Sequence, residues 1–332
     1  PVTVNAGGIW GHHIAQMAGA NISMFPAKGA LLIFAHRVNN VVINRCRKPA
    51  NADILVPGDT VCVIGTTSTR VPYEECDHLK VTPDEVDLLL TEGAKLAPCL
   101  AETRVLRAYA GVRPLVSADN DPSGRNISRG IVCLDHETRD GIKGFISITG
   151  GKLMTYRLMG EMAADAVCKK LGRDAKCVTA DTPLPGSEPG GIEEISKKIW
   201  EVPTMVQKAS VGRFGTQAAN LDFDGDVKGS LVCECEEVSV SEVDSAIENL
   251  EVNNLVDLRR RTRFGMGTCQ GELCACRAAG RLAKARKCTA KARADLKDFM
   301  DERWKGMYPV AWGETLRESA YTQWVYSEVM GL

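Results

Sequence analysis

Four cysteines carry the clearest chemistry in this sequence. Cys233 and Cys235 stand in VCECEEV, and Cys269 and Cys274 in GTCQGELCAC. One pair is separated by a single residue and the other by four, with a helical stretch between the pairs. Two close pairs brought together in space make a site of four thiolates. The C-x-C spacing is too tight for the usual zinc knuckle, where cysteines lie roughly two to four residues apart. Iron–sulfur clusters are held by four Cys ligands and accept more varied spacing, so a [2Fe–2S] cluster is the leading reading. A structural zinc, or cysteines that only fill a core, are the alternatives. The cluster reading implies a chain that moves electrons.

An oxidised [2Fe–2S] centre with four thiolates carries a formal charge of about −2. Arg259, Arg260, Arg261 and Arg263 stand just ahead of the second pair and offer compensation. The run reads equally well as a solvated helix face or a docking patch for an acidic partner. Gly265, Gly267 and Gly271 allow backbone N–H groups to approach the sulfurs and tune their potential. Ser241 with Asp244 reads as a capping box opening the helix after the first pair.

A second constellation lies upstream. The strand GFISIT runs into Gly150-Gly151-Lys152 and a long helix. Glycines let a ligand approach the backbone, and a helix N-terminus presents free N–H groups with partial positive charge. The bland reading is a tight strand–helix connection, and the Lys-Ser/Thr ending of a Walker loop is absent. Arg113 in AGVRPLV and Arg129 in NISRGIV follow strand-like segments. Each offers a planar fork to a dianionic oxyacid, or is a solvated charge. His12-His13 is too isolated for a metal site, and His36 and His136 read as ordinary.

These residues need elements to place them. VTVNA reads as a strand, followed by a glycine turn and a helix over IWGHHIAQMAGA. Strand-like runs (GALLIFAHR, ADILVPG, TVCVIGTTS) then alternate with turn signals. Thr82 as cap, Pro83 at the first helical position and Glu85 completing a capping box predict a helix ending near Pro98. RVLRAYAGVRPLV, GIVCLDH and GFISITG are strands, with a hairpin through Arg139–Gly144. Leu153, Leu158, Met162, Ala166 and Leu171 fall at helical spacing up to Gly172. TPLPGSEPGG is a linker, residues 192–220 are amphipathic and helical, and a helical tail bears Trp304, Trp312 and Trp324.

The chain has 332 residues, 44% of them apolar, and a net charge of −1. That composition supports a globular core and about two domains, and speaks against a nucleic-acid binder driven by overall charge. No apolar run approaches the roughly 20 residues of a membrane span. Thirteen cysteines without a signal peptide fit a reducing cytosol. The opening PVTVNAGGIWG starts in mid-unit, so the expectation is the C-terminal part of a longer protein.

VNAGGIWG, MFPAKGALLI, INRCRKP, ILVPGDT, IGTTS, GVRPLV, DPSGRN and GGKLMTYRLM together resemble the flavin-dependent glycerol-3-phosphate dehydrogenases. The cysteine module resembles the bacterioferritin-associated-ferredoxin-like (BFD-like) [2Fe–2S] domain. ERWKG and AWGETLRES continue the match, which covers essentially the whole chain. The resemblance implies an α/β (α+β) fold: the C-terminal part of a FAD-dependent oxidoreductase, with a Rossmann-like remnant and a mixed substrate sheet, then a small helical cluster domain. It implies FAD and a [2Fe–2S] cluster as cofactors, and oxidation of sn-glycerol 3-phosphate to dihydroxyacetone phosphate. Electrons would pass towards quinone through B and C subunits, with the chain cytoplasmic and peripheral on the inner membrane. Exposed aromatics in the tail and the arginine run fit association with such subunits.

Residue by residue, the resemblance puts Asn5, Ala6 and Gly7 in a late strand–turn beside FAD. Gly150, Gly151, Lys152 and Leu153 would lie beside the flavin ring, where the helix N-terminus would stabilise negative charge. Arg113 and Lys152 would be catalytic residues at the substrate, and Arg129 a phosphate clamp. Cys233, Cys235, Cys269 and Cys274 would hold the metal, the family pattern favouring Cys274 over Cys276. Two departures stand out. Related single-subunit enzymes carry a His where this chain has Leu31, which leaves the proton acceptor open, with His36 close in sequence. The G-x-G-x-x-G fingerprint that cradles the ADP half of FAD is absent, so weak FAD binding is expected.

The expected organisation is a partial oxidoreductase domain over 1–181, linker and helical cap over 182–230, cluster domain over 231–290 and a tail over 291–332. A related amine or amino-acid oxidase with the same cluster module, and a non-catalytic module that docks a redox partner, are the rival readings.

Overall fold

The computed structural model describes residues 1–116, 130–197, 204–224, 227 and 229–332. The chain opens with β1 (Thr3–Asn5), a tight 3-10 turn and α1 (Gly11–Met17). Next comes β2 (Met24–Phe34), whose side chains are buried on nearly every position. A strand apolar on both faces belongs at the centre of a covered sheet. β2 does sit there, in a six-stranded antiparallel sheet with β3 (Ile43–Asn44), β4 (Ile54–Pro57), β5 (Cys62–Gly65), β6 (Thr69–Arg70) and β7 (Val105–Val116). Across that sheet the order is β3-β4-β5-β2, and β7 pairs with β2 along its whole length, from Met24 opposite Val116 to Phe34 opposite Val105.

One face of this sheet is covered by α2 (Pro83–Leu96), whose Val86 and Leu89 join Leu32, Phe34, Leu55 and Ile64 in a common core. Its start is as the sequence predicts. Thr82 Oγ1 accepts the Glu85 N–H, and the Glu85 carboxylate accepts the Thr82 N–H in return.

A smaller three-stranded sheet holds β1, β8 (Ile131–Asp135) and β9 (Phe145–Gly150), with β1 parallel to β9 and β8 antiparallel to it. The link from β8 to β9 is not the expected bare hairpin. It contains a short helix, α3 (His136–Asp140), because Asp135 accepts the Glu137 N–H as an N-cap and Gly141 ends the turn at φ 74°. From β9 the chain passes into α4 (Tyr156–Lys170), closed by Gly172 at φ 64°. Short helices α5 (Gly191–Ile195) and α6 (Thr204–Phe214) follow.

The cysteine module is a hairpin of β10 (Leu231–Cys233) and β11 (Val238–Ser239) with α7 (Val240–Asn249), α8 (Leu255–Thr262) and α9 (Cys274–Arg286). Its capping box is Ser239 with Glu242, two residues earlier than the sequence suggests. Ser241 instead donates to the Asp222 carbonyl, and Asp244 pairs with Arg281.

The tail is α10 (Ala292–Met307) and α11 (Gly313–Trp324). Phe299 stacks on Phe264 at 5.5 Å inside the cysteine module, and Val310 enters the core under the large sheet. The Thr315 hydroxyl donates to the Val105 carbonyl at 2.5 Å, and Glu302 and Glu318 pair with Arg107 and Arg104 of β7. The tail therefore joins sheet and module.

Candidate functional site

The four sequence-predicted thiols converge from three elements. Cys233 and Cys235 ride on the β10–β11 hairpin, Cys269 on the turn after α8, and Cys274 opens α9. Cys235 and Cys269 have their sulfurs 3.7 Å apart, and Cys233 is hydrogen-bonded to Cys274. Two thiolates on one tetrahedral ion, each at about 2.3 Å, lie roughly 3.8 Å from one another. Each cross-pair thus has the donor set for one iron. Among the described residues no three His, Cys, Asp or Glu side chains gather around a single point. Two sites of two thiols suit a binuclear cluster better than one zinc ion. Cys276 is exposed and stands apart.

The surrounding backbone serves the sulfurs. The Gly265 N–H reaches both Cys233 and Cys274, and the N–H groups of Gly271 and Leu273 reach Cys269. A Cβ on Gly267 would stand 2.4 Å from the Cys235 Cβ, so only glycine admits this approach. Within each pair one thiol gives up its proton more readily. The hydrogen bond from Cys269 pushes Cys235 down and the one from Cys274 pushes Cys233 down, in both cases against burial. The donors Cys269 and Cys274 are pushed up.

Of the arginine run, only Arg259 is buried; it donates to Gln270 Oε1 at 3.2 Å. Burial pushes its guanidinium down, partly offset by the negative charge of Glu302 and Cys274. Arg263 pairs with Glu236 at 2.8 Å and Asp59 at 3.2 Å, Arg261 lies 3.8 Å from Asp257, and Arg260 is exposed. One arginine compensates the thiols, and the others dock the module or meet solvent.

Arg113 lies on β7 across β2. Its Nη2 donates to Thr66 Oγ1 at 2.5 Å and to the Thr67 carbonyl at 3.4 Å. A Cβ on Gly29 would come within 2.5 Å of this guanidinium, so the missing side chain is what lets the arginine lie there. Arg113 lines a cavity of about 960 Å³ with Leu31, Gly65, Thr66 and the loop 44–50. Leu31 is thus at the cavity, in the place where related enzymes are expected to carry His, and it can neither take nor give a proton. His36 is exposed and does not line this cavity.

The other predicted residues cluster at the end of the small sheet. Asn5 and Gly150 end two parallel strands, β1 and β9, and open crevices lie past the C-terminal ends of such strands. Gly150 and Gly151 take φ 78° and 70°, and a Cβ on Gly150 would meet the Gly130 carbonyl at 2.4 Å. Lys152 and Leu153 are exposed, and Lys152 does not line the Arg113 cavity. The helix N-terminus is not a free anion site, because the Lys152 N–H already donates to Thr155 Oγ1 at 3.0 Å. Ala6 is exposed and Gly7 half-buried. The buried Asn5 holds its turn, donating to the Gly11 carbonyl and Ser147 Oγ and accepting the Gly7 N–H. Arg129 lies outside the described residues.

One network escapes the sequence. Ser147 Oγ also meets His136 Nε2 at 2.8 Å, and His136 Nδ1 meets Asp140 at 2.5 Å, in a fully buried position. His136 is therefore the polar key of the small sheet. Only the i,i+4 spacing to Asp140 was a local signal for it.

Comparison with known proteins agrees with this geometry. Residues 1–157 match the family model of FAD dependent oxidoreductases, and residues 231–282 match the BFD-like [2Fe-2S] binding domain. The whole chain is 60% identical to the anaerobic glycerol-3-phosphate dehydrogenase subunits A of Haemophilus influenzae and Escherichia coli K12, covering 59% and 61% of their lengths. A Haloferax volcanii subunit A1 is 38% identical over 98% of this chain and 55% of its own. The chain spans about three fifths of the length of these relatives. The structure of a Bacillus halodurans glycerol-3-phosphate dehydrogenase complexed with FAD shares the fold, with TM-score 0.67 and 19% identity, over 94% of this chain and 64% of that one. With an oxidoreductase fold ahead of a four-thiol helical module, the chain belongs to the family of anaerobic glycerol-3-phosphate dehydrogenase A subunits.

Proposed function

We propose that this chain is the substrate- and cluster-bearing part of an enzyme oxidising sn-glycerol 3-phosphate to dihydroxyacetone phosphate. The observation that carries the reading is the 60% identity, over the entire chain, to relatives bearing that name. When bound, FAD supplies a two-electron acceptor for the hydrogen leaving C2, and the [2Fe–2S] cluster a one-electron carrier beyond it.

The residues of this chain bind and orient. Arg113, pre-set by Thr66 and Thr67, offers its fork to an anionic oxygen of the substrate. Leu31, Ile54, Val56 and Val63 give the cavity an apolar side that keeps water from the reacting carbon. The turns Asn5–Ala6–Gly7 and Gly150–Gly151–Lys152–Leu153, side by side past β1 and β9, border the flavin, and glycines keep that edge open. Lys152 adds a cation on the exposed rim and Arg129 a further phosphate contact. Cys233 with Cys274, and Cys235 with Cys269, hold the two irons. Electrons pass on towards quinone through B and C subunits, which bring the chain to the inner membrane. Among the described residues no helix is long and apolar enough to cross one.

The test is anaerobic dye reduction by the chain supplied with FAD. Reduction with sn-glycerol 3-phosphate, but not with glycerol or glycine, and its loss in Arg113→Ala, is expected. Reduction with an amino acid and none with the phosphate ester would contradict the proposal.

A further inference from the structure

The cavity before Arg113 has a second wall to which the proposed function gives no task. It is the β3–β4 loop, INRCRKP in the sequence, which contributes Arg45, Cys46, Arg47 and Lys48 to the lining. With Arg113 the lining holds four cations against one carboxylate, Asp53. In sheet order β7, β2, β5 and β4 lie side by side, so the loop and Arg113 come from strands about 14 Å apart. Long cationic side chains from both sides narrow that gap to the scale of a small ligand.

The loop's charges are not equivalent. Arg45 pairs with Glu92 at 2.9 Å and also bonds the Glu92 carbonyl. Arg47 pairs with Asp53 at 2.7 Å and Glu92 at 3.5 Å. Asp53 further accepts the Ala50 N–H at 2.5 Å, and its carbonyl accepts the Arg45 N–H at 3.0 Å. Two carboxylates thus neutralise both arginines and fix the loop. Lys48 is exposed at the cavity and has no hydrogen-bond or ion-pair partner among the described residues. A rigid loop that balances two of its three cations leaves one ammonium to act on whatever enters.

We propose that Lys48 binds the phosphate group of the ligand in this cavity, as a point charge opposite the fork of Arg113. The proposal takes the identity of the ligand from the proposed function, but the anion site itself does not depend on it. The ligand class is a small phosphate monoester. Glycerol, which shares the carbon skeleton and lacks the charge, should gain nothing from Lys48.

Cys46, exposed on the same loop, reports occupancy. Its alkylation rate, resolved by peptide mass spectrometry, is followed in the full chain against inorganic phosphate, sn-glycerol 3-phosphate and glycerol. Both anions should protect Cys46 in the wild type, with glycerol inert. In Lys48→Gln the half-protecting concentration of both should rise about tenfold, and Lys48→Arg should restore much of it. Equal protection in Lys48→Gln and wild type would overturn the assignment of Lys48 while leaving the substrate reading intact. Protection through Lys48 by inorganic phosphate but not by the ester would uphold the site and contradict the substrate. Absence of protection by either anion in the wild type would overturn the anion site.

Discussion

A single absent carbon shapes the substrate side. The Arg113 guanidinium crosses β2 at Gly29, where a Cβ would sit 2.5 Å from it. Gly29→Ala should displace the end of a flexible side chain, which costs the fold little. Thermal unfolding should therefore stay within a few degrees of wild type while sn-glycerol 3-phosphate affinity, read by titration, falls about tenfold. Ser147 acts the other way, on the fold. Its hydroxyl joins Asn5 to His136, so Ser147→Ala leaves two buried polar groups short of a partner. A loss of about 1–3 kcal/mol in urea denaturation is expected. Arg113 and the four cysteines were legible because residue type and local pattern mark them. The Ser147–His136 bond was not, since it joins residues whose spacing carries no periodic signal, and His136 read as ordinary.

Elements were legible where their signals are local. Thr82, Pro83 and Glu85 fixed the start of α2, and alternation and turn residues marked the strands of the large sheet. The capping box of α7 was misplaced by two residues, because Ser239–Glu242 and Ser241–Asp244 offer the same spacing and only the burial of Val240 and Val243 decides between them. At the turn before α9, Gly267→Ala would push a Cβ into Cys235, and cluster retention should fall sharply while helix content measured by circular dichroism holds. The β3–β4 loop depends on Glu92, whose carboxyl Lys95 and Arg45 hold down at about 2. Because this folded-state value lies below the unfolded one of about 4.3, the brace is fully present above the unfolded value and lost as pH falls through the folded one. Hydrogen exchange at Arg45 and Arg47, corrected for intrinsic rates, should stay protected down to about pH 4 and open towards pH 2. Glu92→Gln should open it at neutral pH.

At the scale of the whole molecule, the tail joins what the sequence suggested were separate parts. An amphipathic helix announces that it packs, but not against what. Phe299 and Tyr326 belong to the core of the cysteine module, Val310 to that of the large sheet, and Thr315 bonds β7 directly. Substrate sheet and thiol site are thereby tied into one frame, as an electron path between them requires. Phe299→Ala, removing a ring that is 2% exposed and stacked on Phe264, should cost about 3–5 kcal/mol in denaturant unfolding and weaken cluster retention. The central claim is that this frame holds a [2Fe–2S] carrier, and anaerobic iron and acid-labile sulfide analysis of wild type and Cys235→Ser tests it most directly. The account predicts about two irons and two sulfides per chain, lost in the variant. One zinc per chain, or no metal after anaerobic reconstitution, would contradict it.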